Sequence, residues 1–279
     1  MQKKQLILLG AGLLLVILLF QFGNFRSKKA TQTTPAAGAQ HADADHQIPD
    51  FNVEQYVQDK IKDLPDTAKT RVENLTKAYQ NQATPIACKD LAEFWETHDD
   101  LTAAAYYYKK GAILENTEKS LTFAGQLLLV LMQRTQDQAI RTWQAKEAID
   151  CFSRVLETNP TNADTKIALA TCYTEGTGET MKGVTLLREV TASDSTHIAA
   201  NVILGKLAIQ SGQFDKAERR LAMVVSRQPE NTEAMYFLAE AYKGLGQKEK
   251  AVEWFEKCKK LINNPEFSAE IDRYMQSMK

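Results

Sequence analysis

The chain has no CxxC pair. Its four cysteines, Cys88, Cys151, Cys172 and Cys258, are scattered through 279 residues. Zinc sites and dithiol redox motifs need thiolates at short spacing, so the scatter argues against both. Each cysteine falls inside an expected helix of a different segment, where a small apolar side chain suits a tight contact. Core packing is the expected role, with disulfide or metal use the alternative. A basic surface is missing as well. The formal net charge is −1, and residues 1–47 hold five basic and two acidic side chains, which leaves about −4 for the rest. Nucleic acid would call for a basic stripe, and none is expected here.

Catalytic constellations are equally scarce. No Ser-His-Asp, Cys-His or paired-carboxylate pattern stands out, so no catalytic residue, cofactor or metal is assigned. His41, Asp43, Asp45 and His46 could pass for metal ligands, but they lie in a polar stretch that would not hold them in geometry. His98 and His197 are isolated and fall in expected turns. Residues 175–180, Glu-Gly-Thr-Gly-Glu-Thr, lack the lysine of a phosphate loop and do not join a strand to a helix.

One long apolar run is present, from Leu6 to Phe20. With its flanks it reaches about 30 Å as a helix, enough to cross a bilayer. Lys3 and Lys4 precede it; Arg26, Lys28 and Lys29 follow. A cleaved signal would need small residues at its end, and Phe20, Phe22 and Phe25 stand there instead. An uncleaved single-pass anchor over 1–26 is expected. The short basic N-tail would then stay in the cytoplasm and the remainder lie in a bacterial periplasm, with the cytoplasmic face as the alternative. Residues 27–49 are rich in Ala, Thr, Gln and Gly and read as a flexible linker.

Further on, the chain repeats itself. Leu204, Gly205 and Ala208 recur as Leu238, Ala239 and Tyr242; Gly212, Ala217 and Leu221 recur as Gly246, Ala251 and Phe255, each 34 residues later. A fixed period of this size with two amphipathic helices per unit marks an array of helix pairs. Small residues such as Ala239 and Ala251 belong where paired helices cross. Pro229 is expected at the start of a helix, where no amide donor is needed. Ala68, Val72, Leu75 and Tyr79 share one helix face, and Leu64-Pro65-Asp66 separates that helix from the one before. Asn264 caps a last helix whose stripe is Phe267, Ile271, Tyr274 and Met278.

The 34-residue pattern resembles the tetratricopeptide repeat. Its matches are closest in 232–265 (Met235, Leu238, Ala239, Tyr242, Gly246, Ala251, Phe255) and 198–231. They continue in 163–197, where Tyr173 to Gly183 is one residue too long and an insertion is expected in the turn 175–180. The pattern is more divergent in 118–162, with an extended segment expected up to Trp143, and in 85–118. There Tyr108 is expected in the core, with Tyr106 and Tyr107 at the repeat interface. The resemblance implies an all-α, right-handed superhelical solenoid over 85–265, with capping helices at 50–84 and 266–279.

The family's geometry also implies a groove lined by the first helix of each unit. Carried over, its residues are Lys89, Glu93 and Glu96, then Leu121 and Leu128, then Ile167, Thr171 and Thr174. Val202, Lys206 and Ile209 follow, and Tyr236, Glu240 and Lys243 complete it. An apolar middle between charged ends fits a protein or peptide partner. The alternative is that the array or segment 134–146 covers these side chains itself. Glu93 replaces the Asn with which some family members hold a C-terminal carboxylate, so that activity is not implied. The expected function is a non-catalytic, membrane-tethered scaffold or adaptor, resembling repeat proteins of cell-envelope or cytochrome assembly. A self-assembling structural protein is the rival, and an enzyme with an undetected site the more distant one.

Overall fold

The computed structural model describes residues 50–277. The expected anchor and linker, the His41–His46 group and Met278 lie outside them. Among the described residues every regular element is helical, and no helix is long and apolar enough to cross a membrane. The helices are α1 (Val53–Lys62), α2 (Asp66–Asn81), α3 (Pro85–Thr97), α4 (Leu101–Glu115), α5 (Glu118–Arg134) and α6 (Gln138–Thr158). Then come α7 (Ala163–Thr171), which runs into a π-helical segment Cys172–Thr177, α8 (Thr180–Ser193) and α9 (Ile198–Gln210). The last four are α10 (Phe214–Arg227), α11 (Thr232–Gly244), α12 (Lys248–Ile262) and α13 (Pro265–Ser277).

Short polar side chains set many of the starts. Asn52, Thr84, Asp100, Thr117, Asn162 and Asn231 each accept a hydrogen bond from a backbone N–H in the first turn of the helix that follows. Asn264 does the same for α13, accepting from the Phe267 N–H at 3.0 Å. Each cap satisfies a donor that the helix itself leaves without a partner. Pro229 is not at such a start: it sits in the turn before the Asn231 cap, three residues ahead of Thr232. Asp137 caps α6 twice, accepting from Ala139 and Ile140. That double cap starts the helix at Gln138, so the extended segment expected up to Trp143 is helical instead. Trp143 and Ala145 are part of the core.

The fold divides into two compact units between Ala200 and Asn201. In the first, helix pairs α3–α4, α5–α6 and α7–α8 pack side by side. Two apolar clusters fill the unit. One is built on Leu128, Met132, Phe152 and Val155, the other on Leu91, Phe94, Trp95 and Tyr107. Gly125 permits the α5–α6 crossing, since a Cβ there would come within 2.7 Å of the Phe152 ring. In α4 the buried tyrosine is Tyr107, not Tyr108. Successive positions turn by about 100°, and the Ala103, Ala104, Gly111 side that meets α3 carries Tyr107 with it.

Helix α1 lies across α4 and α6. Phe51 meets the edge of Trp143 at 5.4 Å. Tyr56 Oη donates to Asp100 Oδ2 at 2.9 Å, and Tyr106 Oη donates to Glu54 Oε1 at 2.9 Å. Val57 and Ile61 reach the core of the α3–α4 pair. α2 buries Val72, with Ala68, Leu75 and Tyr79 half-buried around it, as its spacing implies.

The residue inserted between Tyr173 and Gly183 is absorbed by winding Cys172–Thr177 as π-helix. One extra residue inside a helix is accommodated in this way more readily than by a break. Arg141 Nη2 of α6 donates to the Glu175 carbonyl at 2.9 Å, and Gly176 is pressed against Ala145 and Met132.

In the second unit the 34-residue repeat is visible as matched burial. Leu204 and Leu238, Ala217 and Ala251, and Leu221 and Phe255 are all core residues. Gly212 and Gly246 hold φ of 72° and 73° in equivalent turns, a region in which other residues are strained. A Cβ on Gly205 would lie 2.7 Å from Leu221 Cγ, which marks the crossing of α9 and α10. α13 buries Phe267, Ile271 and Met275.

Candidate partner-docking face

An open surface with two exposed apolar side chains lies on α5 in residues 50–200. Phe123 is 54% exposed and Val130 39%, with Leu127 half-buried between them. Phe123, Gln126 and Val130 share a face, and Lys119 extends it by one turn. The far side of the same helix is core.

Side chains of neighbouring helices bound this face. The Tyr108 ring meets Phe123 edge-on at 5.3 Å, and Tyr108 Oη donates to Glu96 Oε2 of α3 at 2.9 Å. Burial pushes the Tyr108 phenol up to about 12, and the bond to Glu96 and the charges of Glu96 and Glu93 add to it. Glu93 pairs with Lys89 one turn back, at 3.5 Å. At the other end of α5, Gln133 Nε2 donates to Glu175 Oε2 of the π-helical segment at 3.4 Å.

The groove read from the sequence is only partly reproduced. Lys89, Glu93 and Glu96 are exposed on α3. Leu121 and Leu128 are core residues, 3% and 0% exposed, and do not line an open surface. Residues 120–132 are mostly apolar, and only the widely spaced Lys119, Gln126 and Gln133, all exposed, mark the polar phase of the helix. Phe123 and Val130 have the same seven-residue spacing as Leu121 and Leu128 and were missed for that reason. The pair Ala124–Gly125 was the available signal: small residues mark a crossing, and the open face lies away from it. Ile167, Thr171 and Thr174 are half-buried. Thr171 Oγ1 donates to the Ile167 carbonyl and Thr174 Oγ1 to the Thr171 carbonyl, which turns both hydroxyls onto their own backbone.

In residues 201–277, Val202 is 6% exposed and packs inside rather than facing a groove. α9 is another helix with few polar positions to fix its phase. Lys206 and Ile209 are half-buried. Tyr236 packs edge-on against Phe237 at 5.4 Å and Phe255 at 5.5 Å. Burial, then the charges of Glu240 and Glu270, hold its phenol above the ordinary range. Tyr274 of α13 donates to Glu240 Oε1 at 2.6 Å, and Lys243 Nζ reaches both Tyr274 Oη and Glu240. The final helix therefore covers the side of α11 on which Tyr236, Glu240 and Lys243 lie.

All four cysteines are buried and free. Burial pushes the thiols of Cys151, Cys172 and Cys258 up to about 12, so they stay protonated and unreactive at neutral pH. His98 stacks on Phe94 at 4.2 Å and closes the end of α3.

Paired helices at a 34-residue period define a helical-repeat protein. Residues 204–264 match the tetratricopeptide repeat family model. The chain therefore carries tetratricopeptide repeats in that segment. No curated protein matches it. Among solved structures, a crystal structure of MamA protein shares 20% identity, covering 63% of this chain and 91% of that one, with a TM-score of 0.49. YrrB, described as a tetratricopeptide-repeat protein with an unusual peptide-binding site, shares 21% identity, covering 72% and 99%, at 0.47. MamA from Desulfovibrio magneticus RS-1 shares 22% identity, covering 55% and 82%, at 0.45. At such scores these likenesses carry nothing about partner or activity.

Proposed function

We propose that this chain is a non-catalytic scaffold that holds a protein or peptide partner against the open face of α5. The observation that carries the reading is Phe123 and Val130, exposed on a helix whose other sides are core. An ordered aromatic ring left in solvent beside aliphatic neighbours is the composition of an interface anchor. Phe123→Ala removes that anchor while leaving the buried side of α5 intact. Partners captured from membranes by the tagged full-length protein are expected to bind about 1–3 kcal/mol more weakly to the variant. Undiminished capture at an unchanged helical signal by circular dichroism overturns the reading.

The Leu6–Phe20 run supports a single-pass tether, with the short basic N-tail on the cytoplasmic side and the repeats in the periplasm of a bacterial cell envelope. Resistance to carbonate extraction and an intact mass that retains the N-terminus are the expected results. Protease digestion of spheroplasts reads the side. Self-assembly is the rival use of the same face, and a concentration-dependent size in chromatography, lost in Phe123→Ala, identifies it.

A further inference from the structure

The charges around the α5 face narrow the partner, on the reading that this face docks one. Glu93 and Glu96 project one turn apart from α3. Lys89 pairs with Glu93 at 3.5 Å, whereas the Glu96 contact is the neutral phenol of Tyr108 at 2.9 Å. That hydrogen bond fixes the Tyr108 ring, which in turn stands edge-on to the exposed Phe123 at 5.3 Å. The charges that bear on the phenol are those of Glu96 and Glu93. Lys119 lies one turn further back along α5, and Arg134 near the opposite end. The corner formed by Glu96, Tyr108 and Phe123 thus joins a carboxylate to an open aromatic surface, and Leu127 and Val130 continue its apolar side for about 10 Å, with the exposed amide of Gln126 beside them.

We propose that this face binds a peptide segment with a lysine or arginine at one end of a short apolar stretch. The cationic stem lies on Phe123, its head meets the Glu96 carboxylate, and the apolar residues follow Leu127 and Val130. Long basic side chains suit such a site because the aliphatic stem covers apolar surface while the head stays at the polar rim. An aromatic face and a carboxylate each favour the cation.

The test uses immobilised peptides of about twelve residues with a leucine and alanine core, long enough to span the strip. One end carries lysine, arginine, norleucine or glutamate. Full-length protein in detergent is the analyte. Lysine and arginine peptides are expected to bind about five- to tenfold tighter than norleucine, and glutamate more weakly still. Glu96→Gln and the pair Glu93→Gln/Glu96→Gln are expected to erase that preference, bringing the lysine and arginine peptides to the norleucine level measured on the same variant. High salt on the unmodified protein gives the same result independently of any variant's stability. Equal capture of all four peptides, each weakened by Phe123→Ala, overturns the charge inference and leaves the docking face standing. Capture that Phe123→Ala does not affect, or no capture above a polar control peptide, overturns both.

Discussion

Tyr236 shows how one position can be read two ways. Its place in the repeat suggests a groove contact, yet its ring packs on Phe237 and Phe255 and its side of α11 is covered by Tyr274. Tyr236→Ala is accordingly expected to cost about 2–4 kcal/mol of stability, read as a lower urea midpoint; a melt like that of the unmodified protein would show it to be dispensable for packing. Lys109 offers a second test. It meets Glu147 and Asp150 at 2.7 Å each. Burial works to raise the Asp150 pKa, but its bonds with Lys109 and Arg154 outweigh that and hold it below the ordinary value. A depressed carboxylate stabilises the fold fully above its unfolded pKa of about 3.9 and loses that contribution as pH falls through the folded value. The melting-temperature gap between the unmodified protein and Asp150→Asn should therefore be open at pH 7 and close below about pH 4. Burial likewise works against the charge on Lys109, and its carboxylates outweigh it and raise its pKa. Its contribution is lost only as pH rises through that raised value.

At the scale of the element, legibility followed the polarity of each helix. The strongly amphipathic α10 and α12 were readable in phase as well as in extent; in α13 Phe267 and Ile271 are buried as expected, but Met275 rather than Tyr274 completes the buried side. Ala217, Leu221, Ala251 and Phe255 fell in the core where the repeat put them. α5 and α9 are readable as helices but not in phase, because few and widely spaced polar side chains mark their outer sides; Leu128 and Val202 are core instead of groove, and Phe123 is the exposed residue. The π-helical segment could be counted as one extra residue but not drawn, since sequence length does not distinguish a longer turn from a wider helix. It makes a sharp prediction. A Cβ at Gly176 would sit 2.2 Å from Ala145 Cβ and 2.7 Å from Met132 Sδ. Gly176→Ala is expected to destabilise by about 1–3 kcal/mol, because the neighbours are packed. Gly178→Ala leaves no such contact but strains a residue at φ 77°. A chemical-denaturation series in which Gly176→Ala is neutral would count against the tight packing of the π-segment.

For the whole molecule, stability in a helical-repeat array is the sum of each repeat and its contacts with neighbours. Damage in one unit should therefore be felt first within that unit. In Gly176→Ala, amide exchange is expected to accelerate most in α6–α8 and least in α11–α13, and uniform acceleration along the chain would indicate one global cooperative unit instead. What the sequence revealed at this scale was the period and the pairing, because both rest on residues repeated 34 apart. The open face was hidden, because it depends on which side of α5 the neighbouring helices leave uncovered.

The way α1 is fastened has a mechanical consequence. Phe51 sits on Trp143 of the second helix pair, while Tyr56 and Glu54 are held by Asp100 and Tyr106 of the first. A pull applied to the chain at Asp50 thus loads two helix pairs at once, through contacts made to the second helix of each. Force entering at the open end of a stack would peel it one helix at a time. Here the aromatic contact at Trp143 has to slip before α3 can be drawn away, and the emission of that tryptophan would record the moment it does.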